Sequence, residues 1–266
     1  MITPADKYWQ RQDPLQPLFP DIEWSKPEQR THAGRLAIIG GNKLGFSAIV
    51  AAYDEARKAG IGEARAVLPD ALKKSIPATI TDIVFAPTNL SGGFSKDAEE
   101  QLRATMQWST MTLLIGDAGR NSETAILYEE LAKQYTGPLT ITRDAVDLLK
   151  NTTHTLVERP DTLLVVSFVQ LQKIFQAVYY PKVLTFTMSL LALVEALHKF
   201  TTTYPVILAV LHNEQLIVSH AGRVVTTPWQ QPMAIWRGSV ATRMATYWSW
   251  HSNRPLEAIS SSIVGI

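Results

Sequence analysis

Short apolar segments that end in glycine alternate with helical segments along most of this chain. Leu36–Ile39 is an apolar run that ends at Gly40, and Met111–Ile115 is a second run that ends at Gly116. Between them, residues 47–59 carry apolar side chains at helical spacing, which predicts an amphipathic helix. Strands separated by helices in this way predict a parallel sheet with helices on both faces. Ligands of such sheets bind at the carboxyl ends of the strands, so we expect a functional site there.

The last third of the chain departs from this alternation. A helix is predicted over residues 183–200, and the apolar runs 205–211 and 215–219 flank His212-Asn213-Glu214 in the pattern of an antiparallel hairpin. A final pair of helices follows, the second beginning within Asn253–Ala258. The sequence therefore predicts a mixed, mainly parallel α/β sandwich that ends in antiparallel strands and two helices.

Composition excludes several classes of protein. The chain has 266 residues, enough for a large single core, and its formal net charge of +1 gives no electrostatic basis for a nucleic-acid or anionic-membrane partner. It contains no cysteine, which excludes disulfides, thiolate metal sites and cysteine nucleophiles. The first residues lack the pattern of a secretory signal, and the most apolar window, residues 183–197, is too short to span a bilayer. We therefore expect a cytoplasmic protein with no membrane or nucleic-acid partner.

Residues 1–33 are predicted to form an N-terminal arm, and residues 34–266 the folded domain. The prolines of the arm favour an extended chain over a helix. Its apolar side chains predict that it packs either on its own domain or on a neighbouring subunit. Together with the tryptophans of residues 236–250, this apolar surface predicts a homo-oligomer. The prolines are Pro4, Pro14, Pro17, Pro20 and Pro27, and the apolar residues are Trp9, Phe19, Ile22 and Trp24.

Three motifs occur in an informative order. Gly40-Gly41-Asn42 follows the first strand, Leu114–Asp117 closes a buried strand, and Met233–Ala245 runs from a proline-rich loop into an apolar helix. From about Gly34 to the end, this layout resembles the ADP- or ATP-dependent NAD(P)H-hydrate dehydratases, a branch of the ribokinase-like superfamily. The resemblance implies a three-layer αβα sandwich with a mainly parallel central sheet and C-terminal antiparallel hairpin strands. It also implies small-molecule nucleotide ligands, namely ATP or ADP and NAD(P)H or its hydrate.

The resemblance places a substrate pocket at the ends of the strands. The family's V-I-G-P-G-L-G loop corresponds to Leu114–Gly119, with Asp117 where the family has proline, and its D-A-D-A-L corresponds to Thr142–Val146, which keeps Asp144. Two alternatives from the residues alone remain open: Gly40-Gly41 is only a tight strand-to-helix turn, and Asp144 is only a helix N-cap. The pocket candidates are Gly40, Gly41, Asn42, Ser47, Gly116, Asp117, Asp144 and Ser167.

Three motifs that carry chemistry in that family are changed in this chain. The family's T-P-H-P-G-E corresponds to Val165–Gln170, where nothing titrates, and its K-G corresponds to Ala209-Val210, so a cation is missing. The family's G-[TS]-G-D-V-L-A, whose Asp is the acid/base, begins here as Trp236–Ser239, with Ser239 at the position of that Asp. A serine with no adjacent histidine or lysine does not supply the proton transfer, although its hydroxyl can form hydrogen bonds. We therefore expect no intact catalytic residue.

The leading hypothesis is a homologue of the NAD(P)H-hydrate dehydratases that is catalytically impaired and still binds a nucleotide or dinucleotide phosphate. One rival is an active dehydratase or ribokinase-like small-molecule kinase that uses Asp117 or Asp144 as its base. The other rival is a non-catalytic scaffold or interaction protein. The predicted nucleotide and anion site consists of Arg237, Gly238, Ser239, Val240 and Arg243.

Metal catalysis has little support, because the six histidines show no metal-ligand spacing. His212 and His220 flank the predicted hairpin and are expected to be a solvated pair. An aromatic cluster near the C-terminus predicts either core or subunit contacts, or a stacking surface for a nucleobase. Its members are Trp229, Trp236, Tyr247, Trp248 and Trp250.

Overall fold

The computed structural model describes residues 7–13 and 15–265, and a ten-stranded sheet organises them. The strands are β1 (Trp9–Arg11), β2 (Arg35–Gly40), β3 (Glu63–Pro69), β4 (Ile83–Ala86), β5 (Met111–Gly116), β6 (Leu139–Thr142), β7 (Thr162–Val166), β8 (Ile207–His212), β9 (Gln215–His220) and β10 (Arg223–Pro228). Their order across the sheet is β1-β10-β9-β8-β7-β6-β5-β2-β3-β4. Adjacent strands from β8 to β4 are parallel, whereas β9 is antiparallel to both β8 and β10. The predicted mixed, mainly parallel sheet is confirmed.

Helices cover both faces of this sheet. One face packs against helices α3 to α8 and the other against α2, α9, α10 and α11. No helix in the two described ranges is long and apolar enough to cross a membrane. The helices are α1 (Pro20–Trp24), α2 (Ser47–Ala59), α3 (Glu99–Trp108), α4 (Ser122–Gln134), α5 (Asp144–Leu148), α6 (Thr153–Glu158), α7 (Phe168–Ala177), α8 (Leu190–Thr203), α9 (Pro232–Trp236), α10 (Ser239–Trp250) and α11 (Pro255–Ser261).

The central strands are apolar on both faces because both faces are covered. In β2, Leu36 and Ile38 pack in the layer that contains α2 and α10, whereas Ile39 packs in the opposite layer. All six residues of β5 are buried. Burial on both sides explains why these strands appear in the sequence as continuous apolar runs rather than as alternating ones.

Helix α8 begins later than the sequence predicts. The expected start was residue 183, but residues 183–189 lie outside any helix and α8 starts at Leu190. The Ser189 hydroxyl accepts a hydrogen bond from the Ala192 N–H at 3.2 Å, which is the geometry of an N-cap. Apolar residues before this cap extend the helical pattern in the sequence without extending the helix.

The described part of the N-terminal arm packs on its own domain. Its strand β1 pairs in parallel with β10 at one edge of the sheet, and the Gln12 side-chain amide donates to the Ser260 carbonyl oxygen at 2.8 Å. Ile22 is buried between Tyr247 and Ala258. The arm is less extended than predicted, since Pro20 starts the short helix α1, a position that proline favours. A contact between the arm and a second subunit remains a prediction.

Two histidines make the stability of the fold dependent on pH. Burial lowers the pKa of His220, at the end of β9, and that of His251, after α10, below their ordinary value of 6.5. Each native imidazole therefore binds fewer protons than its unfolded counterpart between the lowered pKa and 6.5. The free energy of unfolding should then fall as the pH decreases through 6.5 and level off below the lowered pKa values.

Urea unfolding at pH 7.5, 6.5, 5.5 and 5.0 measures this dependence. The double variant His220→Gln, His251→Gln should have a flatter profile over this range than the wild type. A wild-type profile that is level between pH 7.5 and 5.0 would contradict the assignment.

Candidate functional site

The carboxyl ends of β2 and β5 meet at unusually close range. The Gly41 N–H donates to the Gly116 carbonyl oxygen at 2.9 Å. A Cβ atom placed on Gly40 would lie 2.3 Å from that same oxygen, so only glycine fits there. Gly41 has a φ of +89°, a conformation that glycine adopts at little cost. These two glycines are thus required by the meeting of two strands, which is sufficient to explain them without a ligand.

Asp117 connects this junction to the start of α2. Its backbone has a φ of +53°, and its carboxylate accepts a hydrogen bond from the Ala48 N–H at 3.0 Å. The other carboxylate oxygen pairs with the Arg143 guanidinium. Only 14% of the Asp117 side chain is exposed. Ser47, the first residue of α2, is exposed. The acceptor for the Ala48 N–H is Asp117, which lies in the loop after β5.

Asp144 binds backbone N–H groups of the loop that follows β5, residues 116–119, here called the glycine loop. Its two carboxylate oxygens accept hydrogen bonds from the Asp117 N–H at 2.8 Å and from the Ala118 N–H at 3.1 Å. The expectation that Asp144 is a helix N-cap is wrong, because Arg143 precedes α5 and Asp144 is its first residue. A carboxylate of the chain therefore already fills an anion position at the end of β5.

Arg143 is the cation of this site, and sequence reasoning missed it. One of its guanidinium nitrogens pairs with Asp117, and another donates to the Trp236 carbonyl oxygen. Its backbone has φ +59° and ψ −139°, a strained conformation for a residue other than glycine. The Gln170 side-chain amide donates to the Arg143 carbonyl oxygen at 2.7 Å and so stabilises this conformation. The sequence offered one indication of this role: Arg143 directly precedes Asp144, the acidic residue retained from the family's D-A-D-A-L.

The start of α10 holds Ser239 in a structural role. The Ser239 hydroxyl donates to the Ala234 carbonyl oxygen of α9 at 2.9 Å. The preceding Gly238 is buried with a φ of +86°, and a Cβ atom there would lie 2.8 Å from the Ile115 side chain. No side chain among the described residues caps the first N–H groups of α10. These N–H groups form the positive end of the helix dipole.

Four of the five predicted anion-site residues line one cavity of about 490 Å³. The guanidinium of Arg243 donates to the Ser262 carbonyl oxygen at 2.9 Å and lies 3.5 Å from a Glu55 carboxylate oxygen. Arg237 is exposed, and its side chain makes no hydrogen bond or ion pair with the described residues. Arg237 is therefore the cation of this cavity that remains available to a ligand. The four residues are Arg237, Ser239, Val240 and Arg243, while Gly238 packs against Ile115 instead.

Asn42 and Ser167 organise loops around the site. The Asn42 side chain accepts from the Leu44 N–H at 3.0 Å and donates to the Ser91 carbonyl oxygen at 3.1 Å. Ser167 caps α7 and forms a capping box with Gln170. The sequence analysis predicted both residues as part of a substrate pocket. In the structure, their hydrogen bonds hold the surrounding backbone.

A small apolar slot lies between α7 and α9. Its volume is about 210 Å³, and Trp236, which lines it, is 51% exposed. Three other aromatic residues of the predicted cluster, Trp229, Tyr247 and Trp248, are buried in the core. Trp236 is thus the member of the cluster that lines a surface cavity. The slot is lined by Val166, Ser167, Phe168, Val169, Phe186, Leu211, Ile235 and Trp236.

The end of β8 differs from the expected strand end. The segment aligned with the family's K-G, Ala209-Val210, lies within β8 and is buried. The strand instead ends at His212, which is 5% exposed and stacks on Phe168 with ring centroids 4.5 Å apart. His220 lies at the opposite end of β9, so the expected solvated histidine pair is wrong. In the described part of the chain, no group of three or more His, Asp or Glu side chains could hold a metal ion.

The sheet order, the helix layers and the glycine-rich junction define a ribokinase-like fold. A ribokinase-like superfamily protein from Enterococcus faecalis is similar, with a TM-score of 0.73 at 12% sequence identity over 99% of this chain and 87% of the other. A hypothetical protein from Streptococcus mutans has a TM-score of 0.71 at 14% identity, over 91% of this chain and 85% of the other.

The enzyme class suggested by the sequence motifs is also among the similar structures. The ADP/ATP-dependent NAD(P)H-hydrate dehydratase from Bacillus subtilis, crystallised with ATP and Mg²⁺, has a TM-score of 0.61 at 9% identity. The match covers 93% of this chain and 86% of that enzyme. No protein-family model matches the sequence, and a comparison with curated proteins finds no match. The expected fold and the resemblance in fold to the dehydratases are confirmed.

Proposed function

We propose that this protein is a catalytically impaired homologue of the ADP/ATP-dependent NAD(P)H-hydrate dehydratases that binds a nucleotide or dinucleotide phosphate at the start of α10. The observation that carries the proposal is the hydrogen bond from the Ser239 hydroxyl to the Ala234 carbonyl oxygen at 2.9 Å. In the family that this chain resembles, an aspartate acts as the acid/base at this position. In this chain the Ser239 hydroxyl instead links α10 to α9, and serine has no carboxylate that could accept a proton.

The nearby carboxylates support the loss of catalysis. Asp117 is bound by Arg143 and by the Ala48 N–H, and Asp144 is bound by two N–H groups of the glycine loop. These hydrogen bonds and the ion pair orient both carboxylates toward partners within the chain. A general base must also reach the proton that it removes. Both carboxylates are already committed to holding the junction between β2, β5 and α2.

The cavity beside α10 supports retained anion binding. It combines the uncapped start of a twelve-residue helix with Arg237, which has no partner within the described chain. Helix N-termini and arginine side chains are both suited to phosphate groups. Phosphates of ATP or ADP fit this chemistry, and the same arrangement suits the diphosphate of NAD(P)H or its hydrate.

Binding can be tested by thermal unfolding with ATP, ADP, AMP, NADH and NADPH. A ligand that binds only the native state raises its melting temperature by mass action. We expect a rise with at least ATP or ADP, reduced in Arg237→Gln and preserved in Arg103→Gln, which removes an exposed arginine on α3. If none of these compounds shifts the melting temperature, a non-catalytic scaffold or interaction protein is the better interpretation.

The catalytic prediction concerns hydrated NADH as substrate. Purified protein should show no nucleotide-dependent dehydration with ADP or ATP and no sugar-kinase activity, and Ser239→Asp should not restore either. Loss of the acid/base removes about two to four orders of magnitude in rate. The carboxylate introduced by Ser239→Asp would face the Ala234 carbonyl oxygen, and the cation of the K-G motif would still be missing.

One observation favours an active enzyme as the second candidate. Asp144 lines a separate cavity of about 690 Å³, so a substrate there would lie beside a carboxylate. Turnover of about one per second by the wild type, abolished in Asp144→Asn, would establish this alternative and overturn the proposed loss of catalysis.

A further inference from the structure

The apolar slot between α7 and α9 opens onto an exposed apolar surface. Val169 of α7 is 46% exposed, Phe186 before α8 is 59% exposed, and both line the slot together with Trp236 of α9. Met233 is 56% exposed and precedes Trp236 by three residues on α9, so the two side chains are neighbours on that helix. The surface formed by Val169, Phe186, Met233 and Trp236 is here called the slot face.

Contacts beneath the slot face hold it in place. Phe186 packs on Phe168 with ring centroids 4.9 Å apart, and Phe168 stacks on the buried His212. The Gln172 side-chain amide donates to the Leu184 carbonyl oxygen at 2.8 Å, which ties the segment that carries Phe186 to α7. Side chains that are already ordered lose less conformational entropy when a partner binds. The slot face is therefore prepared for a partner before it meets one.

The size of the slot distinguishes a protein partner from a small ligand. Its volume of about 210 Å³ lies below the roughly 300–1,000 Å³ of small-molecule pockets. With the exposed fractions of its four residues, the slot face presents roughly 400 Å² of apolar surface. Each partner in a standard protein interface buries about 800 Å², of which little more than half is apolar. The slot face thus matches the apolar part of a protein interface.

Two features favour a second copy of this chain over a different protein. A two-fold interface buries the same surface on both copies, so that surface must be complementary to itself. The slot face combines a concave slot with the projecting side chains of Phe186, Met233 and Trp236, and so offers both halves of such a contact. None of the described residues that line the slot is charged. Two copies can therefore meet there without placing like charges opposite each other.

We propose that the slot face is the centre of a two-fold homodimer, in which side chains of one copy pack into the slot of the other. Phe186 and Trp236 are its anchors, because large aromatic side chains at the centre of an interface contribute most of its binding free energy. Neither residue lines the cavity at the start of α10. The dimer is therefore independent of the nucleotide binding proposed there.

Sedimentation equilibrium of the full chain between about 1 and 100 µM tests the dimer. The wild type should be a dimer that dissociates on dilution. Trp236→Glu and Phe186→Glu each place a charge in the slot face and should weaken the dimer by roughly thirtyfold or more, the effect expected of a hot-spot residue. Both positions are exposed in the monomer, so the far-UV circular dichroism spectrum should not change. A wild type that is monomeric at about 100 µM would overturn the proposal.

Trp24→Glu and Leu90→Glu are matched controls. Trp24 is 83% exposed at the end of α1, and Leu90 is fully exposed in the loop after β4. Both variants should dimerise as the wild type does. A dimer that is lost in Trp24→Glu and retained in Trp236→Glu and Phe186→Glu would place the interface at the N-terminal arm and refute the slot face as its centre.

Single cysteines give a second measurement, because the chain has no cysteine of its own. At least one of Val169→Cys and Met233→Cys should be joined between two copies by a short bismaleimide, whereas Leu90→Cys should not. Equal cross-linking of all three variants indicates random collision. That result, or no cross-linking of either slot-face variant, would count against the proposed dimer.

Discussion

Gly116→Ala should be the most destabilising of the conservative substitutions at the carboxyl ends of the parallel strands. A Cβ atom at this position would lie 2.1 Å from an Asp144 carboxylate oxygen, and the backbone φ is +89°. The carboxylate would have to move and release the N–H groups of Asp117 and Ala118. The strained backbone of a non-glycine residue costs about 1 kcal/mol, and each unsatisfied N–H adds about 1–3 kcal/mol. We expect the free energy of unfolding, measured in urea, to fall by roughly 4 kcal/mol.

Two other glycines separate the contributions to this loss. Gly60 has a φ of +101°, but a Cβ atom added there would lie 3.7 Å from its nearest neighbour, an ordinary contact. Gly60→Ala therefore measures the cost of the left-handed backbone alone, about 1 kcal/mol. Gly45 has nothing within 4 Å of an added Cβ, and Gly45→Ala should change stability by less than about 0.5 kcal/mol.

The clash itself can be tested in an Asp144→Ala background. If the carboxylate is the obstacle, adding Gly116→Ala to Asp144→Ala should cost little more than the backbone term, and the two substitutions should be strongly non-additive. Equal costs of Gly116→Ala in both backgrounds would show that the strain lies elsewhere. A variant too unstable to purify still leaves the double variant as a test.

The sheet was largely predictable because its physical causes are local. Apolar runs such as 111–115 are short enough for strands and are bounded by glycine, and the helical spacing of residues 47–59 leaves little ambiguity. The boundary of α8 was not predictable to the same degree. Residues 183–189 continue the apolar character of the helix, and only the hydrogen bond of Ser189 to the Ala192 N–H fixes where it begins.

The site was less predictable because its polar groups are joined across distant parts of the chain. The positions of Gly40, Gly116 and Asp117 follow from the strand ends. That Asp117 would cap α2, and that Asp144 would bind the glycine loop, requires knowing how β2, β5 and β6 lie side by side. Arg143 was overlooked for the same reason, since its partners are 26 and 93 residues away in the sequence.

Arg143 provides the sharpest test of how this site is held together. Arg143→Ala removes the cation from Asp117, whose side chain is 14% exposed, and leaves the Trp236 carbonyl oxygen without its donor. Breaking a largely buried ion pair by removing one partner costs about 3 kcal/mol. Alanine also retains the strain of a φ of +59°, whereas glycine adopts this conformation freely. Arg143→Gly should therefore be more stable than Arg143→Ala by about 1 kcal/mol, despite having the smaller side chain.

The same substitution can be paired with Asp117→Asn in a double-mutant cycle. If Arg143 stabilises the fold chiefly by neutralising Asp117, Arg143→Ala should cost about 2 kcal/mol less in the Asp117→Asn background than in the wild type. Urea unfolding of the two single variants and the double variant gives this coupling energy directly. Additive costs would mean that Arg143 acts through its bond to α9 alone. In that case the charge of Asp117 would be balanced by the start of α2, and the carboxylate would be less committed to structure than its contacts indicate.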